Sequence, residues 1–219
     1  MKILLLTDVH GQTKYLYDVV TSIKESDLVV LAGDITNFRG IEEAREIIDF
    51  IQALNNKLFA ISGNCDKPEV ENLLAEKEVN LHRNIRNFGN MAFVGLGGSL
   101  ITPSSTPNEY TEEEYENFLY EIGNKIHRKP HILVAHNPPY RTQTDRVMYI
   151  RHVGSKSVRN YIREYQPIAC LSGHIHESHA IDSIGNTQVV NPGSMRSGRY
   201  AEIVIDENNQ VEIELKQIK

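Results

Sequence analysis

The feature that most constrains this chain is a repeated unit: a short apolar run, a polar cluster with glycine, then a helical pattern. Ile3–Leu6, Leu28–Leu31 and Leu58–Ile61 are apolar throughout, as expected of strands buried on both faces. Between the first two, residues 14–26 place Leu16, Val19, Val20 and Ile23 at helical spacing. Between the second and third, Ile41, Ala44, Ile47, Ile48, Ile51 and Leu54 share one face of a helix over 41–54. Strand, helix, strand, helix, strand implies right-handed crossovers and a mainly parallel sheet with helices outside. The three runs end in Thr7-Asp8-Val9-His10-Gly11, Gly33-Asp34 and Ser62-Gly63-Asn64. Ligands in such sheets bind at the carboxyl ends of strands, so these clusters converge on one region.

The second half repeats the arrangement. Met91–Val94 reads as a strand, followed by a flexible Gly95-Leu96-Gly97-Gly98. Residues 111–126 read as a helix, with Thr111 and Glu114 spaced as a capping box. Ile132–Ala135 is a strand ending at His136, residues 155–164 a helix, and Ile168–Leu171 a strand ending at Ser172-Gly173-His174-Ile175-His176. From Ala180 short strands are split by Gly185-Asn186 and Glu207-Asn208-Asn209, the last two forming a hairpin, Ala201–Ile205 with Val211–Leu215. Residues 102–108, polar with two prolines, form a loop. Residues 137–154 are long for a loop in a compact domain, which points to a functional role.

A chain of 219 residues suits one domain, 1–219, with a large core. Its 40% hydrophobic content excludes a disordered chain. A formal net charge of −6 argues against non-specific nucleic-acid binding, which needs basic surface. A phosphate ligand stays compatible, because metal ions supply local positive charge. Cys65 and Cys170 resemble no secreted disulfide framework. The Ile3–Leu6 run is too short for a signal-peptide core or a membrane span. The expectation is a soluble, reducing, cytoplasmic setting without a membrane partner.

Taken singly, the polar residues at the strand ends are ordinary. Asp8 suits a helix cap, Gly33-Asp34 a turn, and His136 a buried structural histidine. Together, carboxylate, imidazole and amide groups recur at five strand ends, at Asp8, His10, Asp34, Asn64, His136, His174 and His176. All are oxygen or nitrogen donors, the set that suits divalent Mn, Fe, Ni or Zn.

In this order and spacing, Asp8-Val9-His10-Gly11, Gly33-Asp34, Gly63-Asn64-Cys65-Asp66, Ala135-His136 and Gly173-His174-Ile175-His176 resemble the calcineurin-like metallophosphoesterase superfamily. His136-Asn137-Pro138-Pro139-Tyr140, His152-Val153-Gly154-Ser155 and Asn191-Pro192-Gly193-Ser194 resemble a small prokaryotic branch of it. The resemblance implies a four-layer α-β-β-α sandwich, with two mixed sheets flanked by helices. It also implies two divalent ions, one held by Asp8, His10 and His176, the other by Asn64, His136 and His174, with Asp34 bridging. A hydroxide bridging the ions would attack phosphorus in line, in a phosphate mono- or diester, while Asn64 helps neutralise the phosphoryl oxygens. Small members often form dimers.

One position departs from the pattern. Many members have His after the Asn, to protonate the leaving oxygen, with the next acid orienting it. Here Cys65 and Asp66 stand there, and some small bacterial and archaeal members share the Cys. A thiol is a poor proton donor at neutral pH. The expected enzyme therefore favours esters with good leaving groups. Arg39, after the Asp34 turn, and His152, on the loop after His136, are candidate substrate contacts. Other phosphatase chemistries fit badly: neither Cys is followed by Arg six residues on, and His10 stands where an aspartate-nucleophile enzyme carries a second Asp. Two rivals are a non-catalytic metal-binding scaffold on the same fold and a nuclease. The filled ligand set disfavours the first, and the acidic charge the second.

Overall fold

A computed structural model describes residues 1–126, 129–148 and 150–218. Its longer strands are β1 (Lys2–Leu6), β2 (Leu28–Ala32), β3 (Leu58–Ile61), β4 (Ile85–Phe88), β5 (Met91–Leu96), β6 (His131–Ala135), β7 (Ala169–Leu171), β8 (Ala180–Ile184), β9 (Thr187–Asn191), β10 (Arg199–Ile205) and β11 (Val211–Gln217). The helices are α1 (Lys14–Asp18), α2 (Val20–Glu25), α3 (Ile41–Leu54), α4 (Pro68–Glu76), α5 (Glu112–Ile126) and α6 (Lys156–Tyr165). One sheet runs β11-β10-β1-β2-β3 and the other β8-β9-β7-β6-β5-β4. Each has a parallel part, β1-β2-β3 and β5-β6-β7-β9, with antiparallel strands added on one side in the first sheet and on both sides in the second.

Three apolar layers explain the uninterrupted apolar runs. Alternate residues of a strand face opposite sides. Ile3, Leu5, Leu28, Val30 and Ile61 point inward to meet Phe93, Ile132, Val134 and Leu171 of the other sheet. Leu4, Leu6, Val29 and Leu31 point outward against Leu16, Ile23, Ile47, Ile48 and Leu73 of α1–α4. On the far side Val94, Leu133 and Val189 pack on Tyr115, Leu119, Val158 and Ile162 of α5 and α6. The order is therefore helix, sheet, sheet, helix, with both sheets mixed. Periodicity alone implied one mainly parallel sheet. The antiparallel edges come from three hairpins, β4–β5 around Gly89, β8–β9 around Gly185 and β10–β11, which flank the parallel cores.

Local differences have local causes. The helical stretch after β1 is two short helices, broken at Val19 (φ −104°, ψ 14°). Gly95 and Leu96, expected as flexible, belong to β5. A Cβ on Gly95 would stand 2.3 Å from the Leu81 carbonyl oxygen, so this glycine serves close backbone approach. The Thr111–Glu114 capping box forms: Glu114 N–H donates to Thr111 Oγ1, and Thr111 N–H to Glu114 Oε2. Residues 137–154 hold a 3₁₀ turn (Gln143–Asp145) and a two-stranded ladder of Arg146–Val147 with Arg151–His152.

The inter-sheet layer holds the two halves of the strand-end region in register. Leu5 is fully buried there. Leu5→Ala is expected to destabilise the protein by about 2–5 kcal/mol, read as a lower urea midpoint; a loss below about 1 kcal/mol would contradict this placement.

Candidate metal centre

The carboxyl ends of β1, β2 and β3 on one sheet and of β6 and β7 on the other open onto one place, where all seven strand-end residues meet. Ligand atoms of Asp8, His10, Asp34 and His176 lie within 4.8 Å of one another, and so do those of Asp34, His136 and His174. Asp34 is common to both groups. Its Oδ2 lies 3.6 Å from His10 Nε2 and its Oδ1 3.5 Å from His136 Nε2. Asp8 Oδ1 lies 3.1 Å from His176 Nε2, itself 3.0 Å from His10 Nε2. Asn64 Oδ1 lies 3.1 Å from His136 Nε2. Asp8, Asp34, Asn64 and His136 are buried, whereas His176 is exposed and marks the open side.

The backbone is bent to produce this convergence. Asp8 (φ 55°), His10 (50°), Asp34 (49°) and His174 (67°) all adopt left-handed conformations, each costing about 1–3 kcal/mol in a non-glycine residue. Such strain concentrates at functional sites. Space is made by glycines. A Cβ on Gly63 would stand 2.1 Å from Asp34 Oδ1, and one on Gly33 2.4 Å from the His136 ring.

Neighbours then aim the side chains. Thr7 Oγ1 donates to Asp8 Oδ2 at 2.8 Å, and the backbone N–H of Cys65 to Asp34 Oδ1 at 2.8 Å. His136 Nδ1 donates to the Ala32 carbonyl at 2.7 Å, which turns Nε2 toward Asp34 and Asn64, as the outer partners of metal-bound histidines do. Asn64 Nδ2 donates to Thr106 Oγ1 at 3.0 Å. Asn191 Nδ2 donates to the carbonyls of Gly173 and Ile175, on either side of His174.

Charge is balanced between carboxylates and imidazoles. Burial opposes ionisation of Asp34, but the His136 and His10 rings outweigh it and hold the carboxyl below its ordinary range. Burial likewise opposes a charge on His136, and Asp34 outweighs it, raising the imidazole to about 9. His174 is pushed down to about 4 by burial and by the neighbouring His136. The donor set mixes carboxylate, imidazole and amide, and two groups share one carboxylate. The buried Nδ1 of His10 lacks a hydrogen-bond partner among the described residues. Strained backbone and glycine clearances also suit two small divalent cations rather than a polar core, so the residues fit the metals the family implies.

The companions divide. Cys65 is buried, and desolvation followed by the Asp34 charge pushes its thiol far above the ordinary range. Asp66, expected to orient a proton donor, instead accepts from the backbone N–H groups of Ile35, Thr36 and Gly63 and from Thr36 Oγ1. It ties the β2 loop to the β3 loop. Arg39 is largely exposed and pairs with Glu43 at 3.8 Å, outside the cluster. His152 is partly exposed and bonds Asp145. The supporting roles of Thr7, Thr106 and Asn191 were not legible from residue patterns; only the Asn191-Pro192-Gly193-Ser194 motif hinted at the last.

The calcineurin-like phosphoesterase family model matches residues 1–178. An uncharacterized protein of Methanocaldococcus jannaschii is 43% identical over 201 residues, covering 88% of each chain. A Coxiella burnetii protein named as a probable cyclic nucleotide phosphodiesterase is 20% identical over 174 residues, covering 75% of this chain and 66% of its own. A dimetal phosphatase from Danio rerio superposes with a TM-score of 0.67 at 12% identity, covering 99% of this chain and 96% of its own, a likeness of fold. No helix among the described residues is long and apolar enough to cross a membrane.

Metal ligands bind as neutral imidazole, so an ion must displace the His136 proton. Loading is expected to strengthen as pH rises toward 9 and to release on the order of one proton at pH 7.5. Calorimetry in two buffers of different ionisation enthalpy reads this; identical heats in both would contradict it. Gly63→Ala, which crowds Asp34, is expected to weaken loading by roughly 10–100-fold.

Proposed function

Because the chain belongs to the calcineurin-like phosphoesterase family, we propose that it is a hydrolase of phosphate mono- or diesters that works with two divalent ions, Mn, Fe, Ni or Zn. The observation that carries this reading is Asp34, shared by two clusters of nitrogen and oxygen donors. Asp8, His10 and His176 would hold one ion; Asn64, His136 and His174 the other; and Asp34 would touch both. Bound there, the ions supply Lewis acidity and a water-derived nucleophile at neutral pH.

The chain's own groups supply the rest. Neither Cys65 nor Cys170 is followed by Arg six residues on, and His10 stands where a second Asp would follow Asp8, so water rather than a protein nucleophile attacks phosphorus, in line with the leaving oxygen. The Asn64 amide, steadied by Thr106 Oγ1, offers an N–H to a phosphoryl oxygen as charge builds there. Thr7 and Cys65 N–H keep the two carboxylates aimed. Asp66 fixes the loops carrying Asp34 and Asn64. Cys65 gives no proton to the leaving oxygen, since burial and Asp34 hold its thiol protonated. Good leaving groups, aryl phosphates and activated diesters, are therefore favoured. The substrate is a small phosphate ester met in the cytoplasm, with no stable nucleic-acid partner, in keeping with the charge of −6.

The test is a substrate panel against metal-stripped protein reloaded with Mn, Ni, Zn or Mg in turn. Turnover of a chromogenic aryl diester by at least one reloaded form is expected. Two bound ions with no turnover on any ester would favour a scaffold. Cys65→His is expected to raise turnover of an alkyl phosphate by at least about 10-fold more than that of an aryl phosphate. Equal changes on both would remove the leaving-group argument.

A further inference from the structure

The two ends of an asparagine amide have nearly the same shape and opposite chemistry. Its oxygen accepts and can hold a cation, whereas its NH₂ group only donates. Asn64 can serve the cluster only with its oxygen turned inward. Its Oδ1 does lie 3.1 Å from His136 Nε2, and its Nδ2 points the other way, donating to Thr106 Oγ1 at 3.0 Å. What decides between the two ends lies one bond further out. Thr106 Oγ1 donates to Glu109 Oε1 at 2.6 Å. An ionised carboxylate only accepts, and a hydroxyl has a single hydrogen to give. With that hydrogen on Glu109, Thr106 Oγ1 can only accept from Asn64, so the amide atom beside it must be nitrogen.

Glu109 is itself held in place. The same Oε1 accepts Thr102 Oγ1–H at 2.6 Å and Thr106 N–H at 2.8 Å. Burial opposes its charge, but these hydrogen bonds outweigh it and lower its pKa. Ser99–Leu100 pairs with Glu109–Tyr110 in a short ladder that closes the intervening loop. Asn108 N–H donates to the Asn64 carbonyl at 3.1 Å, and Asn108 Nδ2 to the Gly63 carbonyl and Ser62 Oγ. Leu100 N–H donates to Asn137 Oδ1, next to His136. The loop is therefore tied to both strand ends that carry Asn64 and His136.

We infer that Glu109, acting through Thr106, is the positioning residue that keeps the Asn64 oxygen toward Asp34 and His136 and its nitrogen outward. The inference rests on the two-ion hydrolase reading above. Thr106 occupies one Nδ2 hydrogen. The other faces only Cys65 Sγ at 3.6 Å, a weak acceptor, and stays available to a phosphoryl oxygen. Without the Glu109 carboxylate the Thr106 hydroxyl turns and can donate to the amide oxygen. The amide is then free to flip and present its hydrogens to a cation. One carboxylate outside the cluster thus fixes both the ion contact and the phosphoryl contact of Asn64.

The experiment is calorimetric loading of metal-stripped protein with divalent manganese, with urea midpoints to show that each variant is folded. Glu109→Ala is expected to weaken one of the two loading steps by roughly 10–100-fold. Thr106→Val removes the same relay and is expected to do likewise, so it serves should Glu109→Ala fail to fold. Thr106→Ser keeps the hydroxyl and is expected to load as wild type does. The Glu109→Ala, Thr106→Val double variant is expected to be no weaker than Thr106→Val alone, since both act on one amide. In an Asn64→Asp background both outer atoms are oxygen, and adding Glu109→Ala is expected to cause no loss. Wild-type loading in Glu109→Ala, additive losses in the double variant, or a loss that persists with Asp at position 64 would overturn the role of Glu109 while leaving the hydrolase reading intact. A wild type that loads fewer than two ions would overturn both.

Discussion

Two sheets meet at one carboxylate. Asp34 sits at the end of a strand in the first sheet, with His10 of that sheet on one oxygen and His136 of the second on the other. This contact depends on how the sheets stack, because Ala32, which precedes the Gly33-Asp34 turn, is buried in the inter-sheet layer and also receives the His136 Nδ1 hydrogen bond. Stacking, ring orientation and the spacing of the two donor groups are thus a single geometric fact. Without the inter-sheet layer there would be two half-sites with neither complete.

The strained turns follow from the same requirement. A parallel strand delivers its end residues in a line, whereas a pair of metal groups needs them curled inward. Left-handed backbone at Asp8, His10, Asp34 and His174 makes that curl, and the stability given up there is returned by three apolar layers. Glycine cannot replace these residues, since each must carry a ligand atom. It appears instead beside them, at Gly33 and Gly63, where a Cβ would strike His136 or Asp34.

Much of this was legible in the residues. Continuous apolar runs named the buried strands almost to the residue, because burial on both faces leaves no polar alternation. The amphipathic stretch Ile41–Leu54 matched its helix end to end. Single residues at strand ends were ambiguous, and only their recurrence made them a site. Other features depend on tertiary contact and leave little local trace. Pro68–Glu76 is a helix, with Pro at its first turn and Val70, Leu73 and Leu74 buried, yet its pattern is short and weak. Asp66 reads as a catalytic companion in sequence and acts as a clamp on two loops in space, since its backbone partners Ile35 and Thr36 lie on another strand's turn. Arg39 suggests a phosphate contact by type, but its side chain turns to Glu43 on the surface.

If Asp34 joins two metal positions into one centre, its carboxylate couples the ions held on either side of it. Electron paramagnetic resonance of the protein loaded with divalent manganese tests it without reference to any substrate. The expected result is the spectrum of a magnetically coupled manganese pair in the wild type, replaced in Asp34→Asn by that of isolated ions or by loss of bound metal. An uncoupled, single-ion spectrum in the fully loaded wild type, or a coupled pair that survives Asp34→Asn unchanged, would contradict the account.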